Sequence, residues 1–270
     1  MSAIQKISFL LKMILYMLNK SILKLRSFTL MKVKLSVSFI MLLLLNFNSK
    51  AAITVGNKTF DNPTPNAVSY TITSHTQNSG ADGYMVVGVV STSNFGVTIS
   101  GVTWNGVSMT QLQQATISNA SGRVAFFELE NPTAGNHDLV VTWSSSQAYS
   151  VSISIFSFTG AQSGGNYEIN QDAGSSTAIE SFTISDQSMV LGMGYSNFNT
   201  SSIELPQGTA RTLEFSHPAY LGIVKMALSP ALSSGTANYE ANTAGGNASL
   251  SLIEIQEAAA TVERRVILVN

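Results

Sequence analysis

Gly101-Val102-Thr103-Trp104-Asn105-Gly106-Val107-Ser108-Met109 is the stretch whose reading decides the fold. Asn-Gly between two alternating runs signals a two-residue hairpin, because a type I′ turn needs positive φ at both central residues. A two-residue turn sets Trp104 opposite Val107 and Val102 opposite Met109. Those four apolar side chains then share one face, and Thr103 and Ser108 share the other. Turn chemistry and apolar pattern agree on a single register, which points to an antiparallel, half-buried sheet.

Outward from this hairpin, no segment beyond Ile53 sustains a 3.6-residue period. Short runs rich in Val, Ile, Phe, Thr and Ser recur between Gly, Asn, Asp and Pro. They predict strands over 53–60, 68–74, 84–91, 96–104, 107–111, 123–130, 137–144 and 149–158. A second series follows over 166–170, 179–185, 189–196, 210–215, 221–229, 236–241 and 248–255. Many short strands at this spacing mean a sandwich or barrel.

The two series resemble each other. Gly56-Asn-Lys-Thr-Phe-Asp-Asn62 answers Gly165-Asn-Tyr-Glu-Ile-Asn-Gln171, Ser69-Tyr-Thr-Ile-Thr-Ser74 answers Ser181-Phe-Thr-Ile-Ser185, and Met85-Val-Val-Gly88 answers Met189-Val-Leu-Gly192. Asn94-Phe95 answers Asn197-Phe198. Val151-Ser-Ile-Ser-Ile-Phe-Ser-Phe158 answers Ala248-Ser-Leu-Ser-Leu-Ile-Glu-Ile255, and in both the alternation shifts phase at the same point. Adjacent apolar residues there signal a bulge or burial on both faces. The expected fold is therefore an all-β, antiparallel, jelly-roll-like sandwich over residues 53–258. It is built from two similar halves, about 53–161 and 163–258, with two tandem Ig-like domains as the alternative. The junction Thr159-Gly-Ala-Gln-Ser-Gly-Gly165 is short and has no Pro or charge run, which favours one body. Residues 259–270, ending in Val266-Ile-Leu-Val-Asn270, read as a tail or an extra edge strand.

Charge divides the chain differently. Eight of the 14 Lys and Arg lie in residues 1–50, where there is no acid, and all 15 acids lie beyond Ala51 against six bases, a net −9. An acidic domain with so few cations is repelled by phosphate backbones, which argues against nucleic-acid binding. Met31-Lys-Val-Lys34 opens a basic segment, residues 35–47 are largely apolar, and Ser49-Lys50-Ala51 offers small residues for cleavage after Ala51. Residues 31–51 thus read as a secretory signal peptide and residues 1–30 as an upstream extension. The apolar stretches of that extension are cut by Lys12, Lys20 and Lys24, which disfavours a span, and no stable membrane span is expected after cleavage. The expected location is outside the cell or on its surface. With no cysteine, the exported part depends on core burial and lacks thiol chemistry.

Val102-Thr-Trp-Asn-Gly106 with Met109-Thr110 resembles a recurrent hairpin of bacterial secreted and cell-surface β-sandwich domains. Phe127-Glu-Leu-Glu-Asn-Pro132, Gly135-Asn-His-Asp-Leu-Val-Val-Thr142 and Phe156-Ser-Phe-Thr-Gly160 fit the same pattern, so the resemblance spans roughly residues 84–160. Such domains resemble stalk, adhesion and carbohydrate-associated modules. The resemblance implies a fold and a location, and it transfers no site.

Candidate chemistry is sparse. Glu128 and Glu130, at i and i+2 on one strand, project from one face, as the acid and nucleophile of jelly-roll glycosidases do. Phe127-Glu-Leu-Glu130 faintly resembles the acidic strand of one such family, whose third acid is Pro132 here. His137 follows a turn, and His75 and His217 stand singly, at a loop edge and before Pro218. Asp61, Asp82 and Asp172 fall in separate loops without calcium-loop spacing, so no metal or other cofactor is implied. Trp104 and Trp143 read as core. Tyr149, Tyr195, Phe198, Tyr220 and Tyr239 lie in or near loops, where rings can stack on sugars. A groove of Tyr195, Asn197 and Phe198 is the candidate ligand site. The expected function is a non-enzymatic module binding extracellular carbohydrate or another surface polymer, or presenting such a binder. The alternatives are a structural adhesin or appendage subunit, and a glycoside hydrolase using Glu128 and Glu130.

Overall fold

A computed structural model describes residues 3–24, 52–63, 66–78, 82–92, 97–116, 122–147, 151–172, 177–196, 200–204, 212–219, 222–243 and 248–259. The chain divides into two units, Met1–Ser49 and Lys50–Asn270. Within the first, α1 (Ala3–Lys24) is a 22-residue helix. The signal-peptide reading of 31–51 and most of the tail from 260 fall outside the described residues.

The second unit is all-β and antiparallel. Its first half holds β1 (Thr54–Asp61), β2 (Ala67–Gln77), β3 (Tyr84–Thr92), β4 (Ile99–Trp104), β5 (Val107–Ser108), β6 (Thr110–Thr116), β7 (Gly122–Glu130), β8 (Gly135–Gln147) and β9 (Val151–Thr159). After the junction strand β10 (Ala161–Gln162) come β11 (Tyr167–Asp172), β12 (Thr177–Ile184), β13 (Met189–Ser196), β14 (Thr200–Glu204), β15 (Thr212–Ala219), β16 (Gly222–Leu228), β17 (Gly235–Thr243) and β18 (Ala248–Glu257). The sequence pattern missed β10 and β14 and stopped β2 and β8 three residues short.

The hairpin forms as its chemistry requires. Asn105 and Gly106 take φ of 48° and 76°, and Trp104 pairs with Val107 and Thr103 with Ser108. Val102, Trp104 and Met109 are buried, whereas Val107 is 49% exposed. Val107 shares that face by register but stays exposed, because β5 is the edge of its sheet and has a neighbour on one side only.

Strand order decides between the two sandwich types. The first half has a large sheet, β1-β9-β3-β7-β6, and a small one, β2-β8-β4-β5. The second half repeats this with β11-β18-β13-β16-β15 and β12-β17-β14. From β1 to β4 and from β7 to β9 every connection crosses between sheets, and β5 and β6 carry the chain across within one broken strand. That is jelly-roll wrapping; an Ig-like sandwich keeps hairpin neighbours such as its first two strands in one sheet. The Ig-like alternative is therefore corrected: each half is a jelly roll.

Three buried clusters show how the four sheets stack. One joins the first small sheet (Trp104, Leu139, Val141) to the first large sheet (Met85, Phe127, Ile155). A second joins the two large sheets to each other, through Tyr84, Phe126 and Phe156 on one side and Leu191, Met193 and Ile253 on the other. The third joins the second large sheet (Val190, Leu250, Leu252) to the second small sheet (Phe182, Tyr239). The layers thus run small, large, large, small, and the central strands of the large sheets are buried on both faces. This explains the phase shift in Val151–Phe158. The pairing of β9 with β3 is unbroken, the register shift beside it lies on β1 between Val55 and Lys58, and residues 151–158 are all buried. Glycine permits the close approach of the large sheets: a Cβ on Gly88 would stand 2.8 Å from Ser154 Oγ and 3.2 Å from Met193 Sδ.

Candidate functional site

The paired carboxylates sit at the end of β7. Phe127 packs toward the first small sheet, so Glu128 and Glu130 project from the opposite face, where their cross-strand neighbours are Val86 and Tyr84 of the inter-sheet core. The Tyr84 hydroxyl donates to Glu128 Oε2 at 2.6 Å. Burial pushes the Glu128 carboxyl above its ordinary range; the Tyr84 bond opposes this, and the nearby Glu130 charge adds to it. Glu130 is exposed, and its Oε1 accepts from Ser163 Oγ (2.5 Å) and Ser163 N–H (2.9 Å), which hold its carboxyl below that range. The two acids therefore share a face, and their pKa values are displaced in opposite directions. Glu130 is also a tether, fastening the junction between the halves to β7.

The same junction is fastened from the other side. Glu254 on β18 is fully buried. Burial alone would raise its carboxyl, but the N–H groups of Asn166 (3.0 Å) and Ser185 and the Gln256 amide (3.2 Å) outweigh it and keep the group ionised. Gly165 is required beside it, since any side chain there would collide with the Glu254 carbonyl oxygen.

His75 is a residue that the sequence reading placed at a loop edge. It lies instead in β2, fully buried, directly across from His137 on β8. Its Nδ1 is 2.8 Å from Thr59 Oγ1 and its Nε2 2.8 Å from Ser157 Oγ. Trp104 lies edge-on to both rings, 5.6 Å from His75 and from His137, and its indole N–H donates to the Thr133 carbonyl at 3.1 Å. Burial lowers the His75 pKa to about 4, so the ring is neutral, one nitrogen donating and one accepting. A serine and a histidine at hydrogen-bond distance resemble a nucleophile and its base. Both are sealed from solvent, however, and the chemistry that remains is cohesion of strands β1, β2 and β9. His137 Nε2 donates to the Ala134 carbonyl at 3.0 Å and closes its own turn.

The expected aromatic groove does not keep its tyrosine. Tyr195 is 1% exposed and packs in the core between the large sheets, because it ends a strand whose odd positions face that core. Asn197, Phe198, Tyr149 and Tyr220 fall outside the described residues. Tyr239 is buried against Phe182, 5.8 Å between ring centres. Trp104 and Trp143 are buried as expected.

What the fold does present is a pair of hydroxyl-bearing sheet faces. Side chains that do not enter the first small-sheet core form two outward rows, Ser69–Thr142–Gly101 and Thr71–Val140–Thr103–Ser108. Ser69, Thr71 and Ser108 are exposed, and Thr103, Val140 and Thr142 are half-buried. On the second small sheet the equivalent rows are Ser181–Asn238 and Thr183–Thr236, all exposed. The Thr183 and Thr236 hydroxyls are 2.7 Å apart. Among the described residues no group of three or more His, Asp or Glu is placed to hold a metal ion.

Fold and surface together define a class: a double jelly roll with outward small sheets of serine and threonine. No protein-family model, curated protein or solved structure matches the chain.

Proposed function

We propose that the Lys50–Asn270 unit is an exported, non-enzymatic module that binds carbohydrate or another hydroxyl-rich surface polymer along the outward face of its small sheets. The observation that carries this is the row Thr71–Val140–Thr103–Ser108 with its neighbour Ser69–Thr142. Such side chains recur about every 4.8 Å across strands and about 6.8 Å along them. A regular array of short hydroxyl side chains, interrupted at Val140 and Gly101, suits an extended polymer bearing many hydroxyls. Short side chains also lose little rotamer entropy on binding. Export is supported by the basic, apolar and small-residue order of residues 31–51.

The test is retardation in native gels cast with a panel of polysaccharides, starting at Ala52. At least one polymer should retard the protein. The triple variant Thr71→Val, Thr103→Val and Thr142→Val, which keeps β-branched shape, should migrate freely while its stability changes little. Equal retardation of the variant, or none of the wild type by any polymer, removes this reading.

Hydrolysis of a glycosidic bond is the second reading, favoured by the opposite pKa displacements of Glu128 and Glu130 on one strand face. A raised carboxyl beside an ionised one is the division of labour of acid and nucleophile. It requires activity on a glycan panel that Glu128→Gln abolishes.

A further inference from the structure

The helix α1 combines two features that water alone does not accommodate. At helical spacing Leu11 and Leu15 lie on the side away from the lysine positions and are 55% and 64% exposed. An exposed apolar surface of this kind marks an interaction site. The helix also carries Lys6, Lys12, Lys20 and Lys24 and no acid, so its charge is +4. At 22 residues it is about 33 Å long, which would reach across a bilayer, yet no described helix is long and apolar enough to cross one. Lys12, exposed near its middle, would have to be carried into the hydrocarbon.

From these we infer that α1 lies along the surface of an anionic membrane, its apolar side chains at the acyl boundary and its lysines among the headgroups. A basic helix with apolar residues and no acid meets both halves of that environment. Each lysine near a negatively charged leaflet contributes on the order of 1 kcal/mol. This contact belongs to the chain before any cleavage after Ala51, and it is independent of polymer binding by the β unit.

The apolar run at 35–47 will itself bind lipid, so the readout must be local to α1. The chain has no cysteine, and Ser8 is exposed; Ser8→Cys therefore gives a single site for an environment-sensitive fluorophore in the full-length chain. Vesicles of phosphatidylcholine with phosphatidylglycerol should shift its emission to the blue, and phosphatidylcholine alone should not. Raising salt, or changing all four lysines to Gln, should weaken the titration at least tenfold. Leu11→Ser with Leu15→Ser should lose the blue shift. Absence of a shift, an equal shift on neutral vesicles, or indifference to the lysine change would overturn the assignment. Self-association of the labelled chain without lipid dependence would overturn it too, and would assign the face to a second copy.

Discussion

His75 shows what burial does to a single titratable group. Its pKa of about 4 lies below the roughly 6.5 of an unfolded histidine. The unfolded chain therefore binds the extra proton first as pH falls. Stability is full above about pH 6.5, declines towards pH 4 and levels off below, a loss of roughly 3 kcal/mol from this residue. Denaturant titrations across that window should show the decline. His75→Gln, which keeps a donor and an acceptor but does not titrate, should flatten it. Carboxylates act in a lower window: Glu130 and Glu254 have depressed pKa values, so their contribution is lost only as pH falls below the ordinary carboxylate range. Neither the His75–Ser157 bond, whose partners are 82 positions apart, nor the Glu254 cluster could be read along the chain. Local pattern marks a histidine as polar and says nothing of which distant hydroxyl will meet it.

At the scale of the element, the β4–β5 hairpin was legible because everything that fixes it lies within nine residues. Positive φ at Asn105 and Gly106 is a local demand. Gly106→Ala should therefore cost about 1–2 kcal/mol, the penalty of a Cβ in left-handed conformation, and Asn105→Ala should cost less than or about as much. Thermal denaturation of both variants checks this; a neutral Gly106→Ala would mean that the turn relaxes to another type. Strand β9 was legible as a strand, and its phase shift at Ile155-Phe156 left open a bulge or burial on both faces; the structure shows burial on both faces. Its serines are inside: Ser154 donates to the Gly88 carbonyl at 3.1 Å and Ser157 meets His75. Threonine and serine on β2, β4 and β8 looked like ordinary solvent-facing positions, and only their pairing into rows made a face of them.

For the whole Lys50–Asn270 unit, the shared core between the large sheets has an energetic consequence. Phe156 and Ile253 contribute to one cluster from different halves, so neither half can open without exposing the other. The unit should unfold in a single calorimetric transition. Phe156→Ala, which removes a fully buried ring at a cost of about 3–5 kcal/mol, should lower hydrogen-exchange protection in β13 and β18 as well as in β3 and β9. Two transitions, or protection lost only in the first half, would mean that the jelly rolls are energetically separate. By itself the sequence determined that the chain is antiparallel β, where its main hairpin turns, and that its two series of strands match, because turn chemistry and side-chain alternation act over a few residues. Only the tertiary structure decided the jelly-roll order, the back-to-back packing of the large sheets, the burial of Tyr195 and the closure of His75 on Ser157. Those depend on which strands become neighbours, and pairing between segments a hundred residues apart is set by the fit of whole faces.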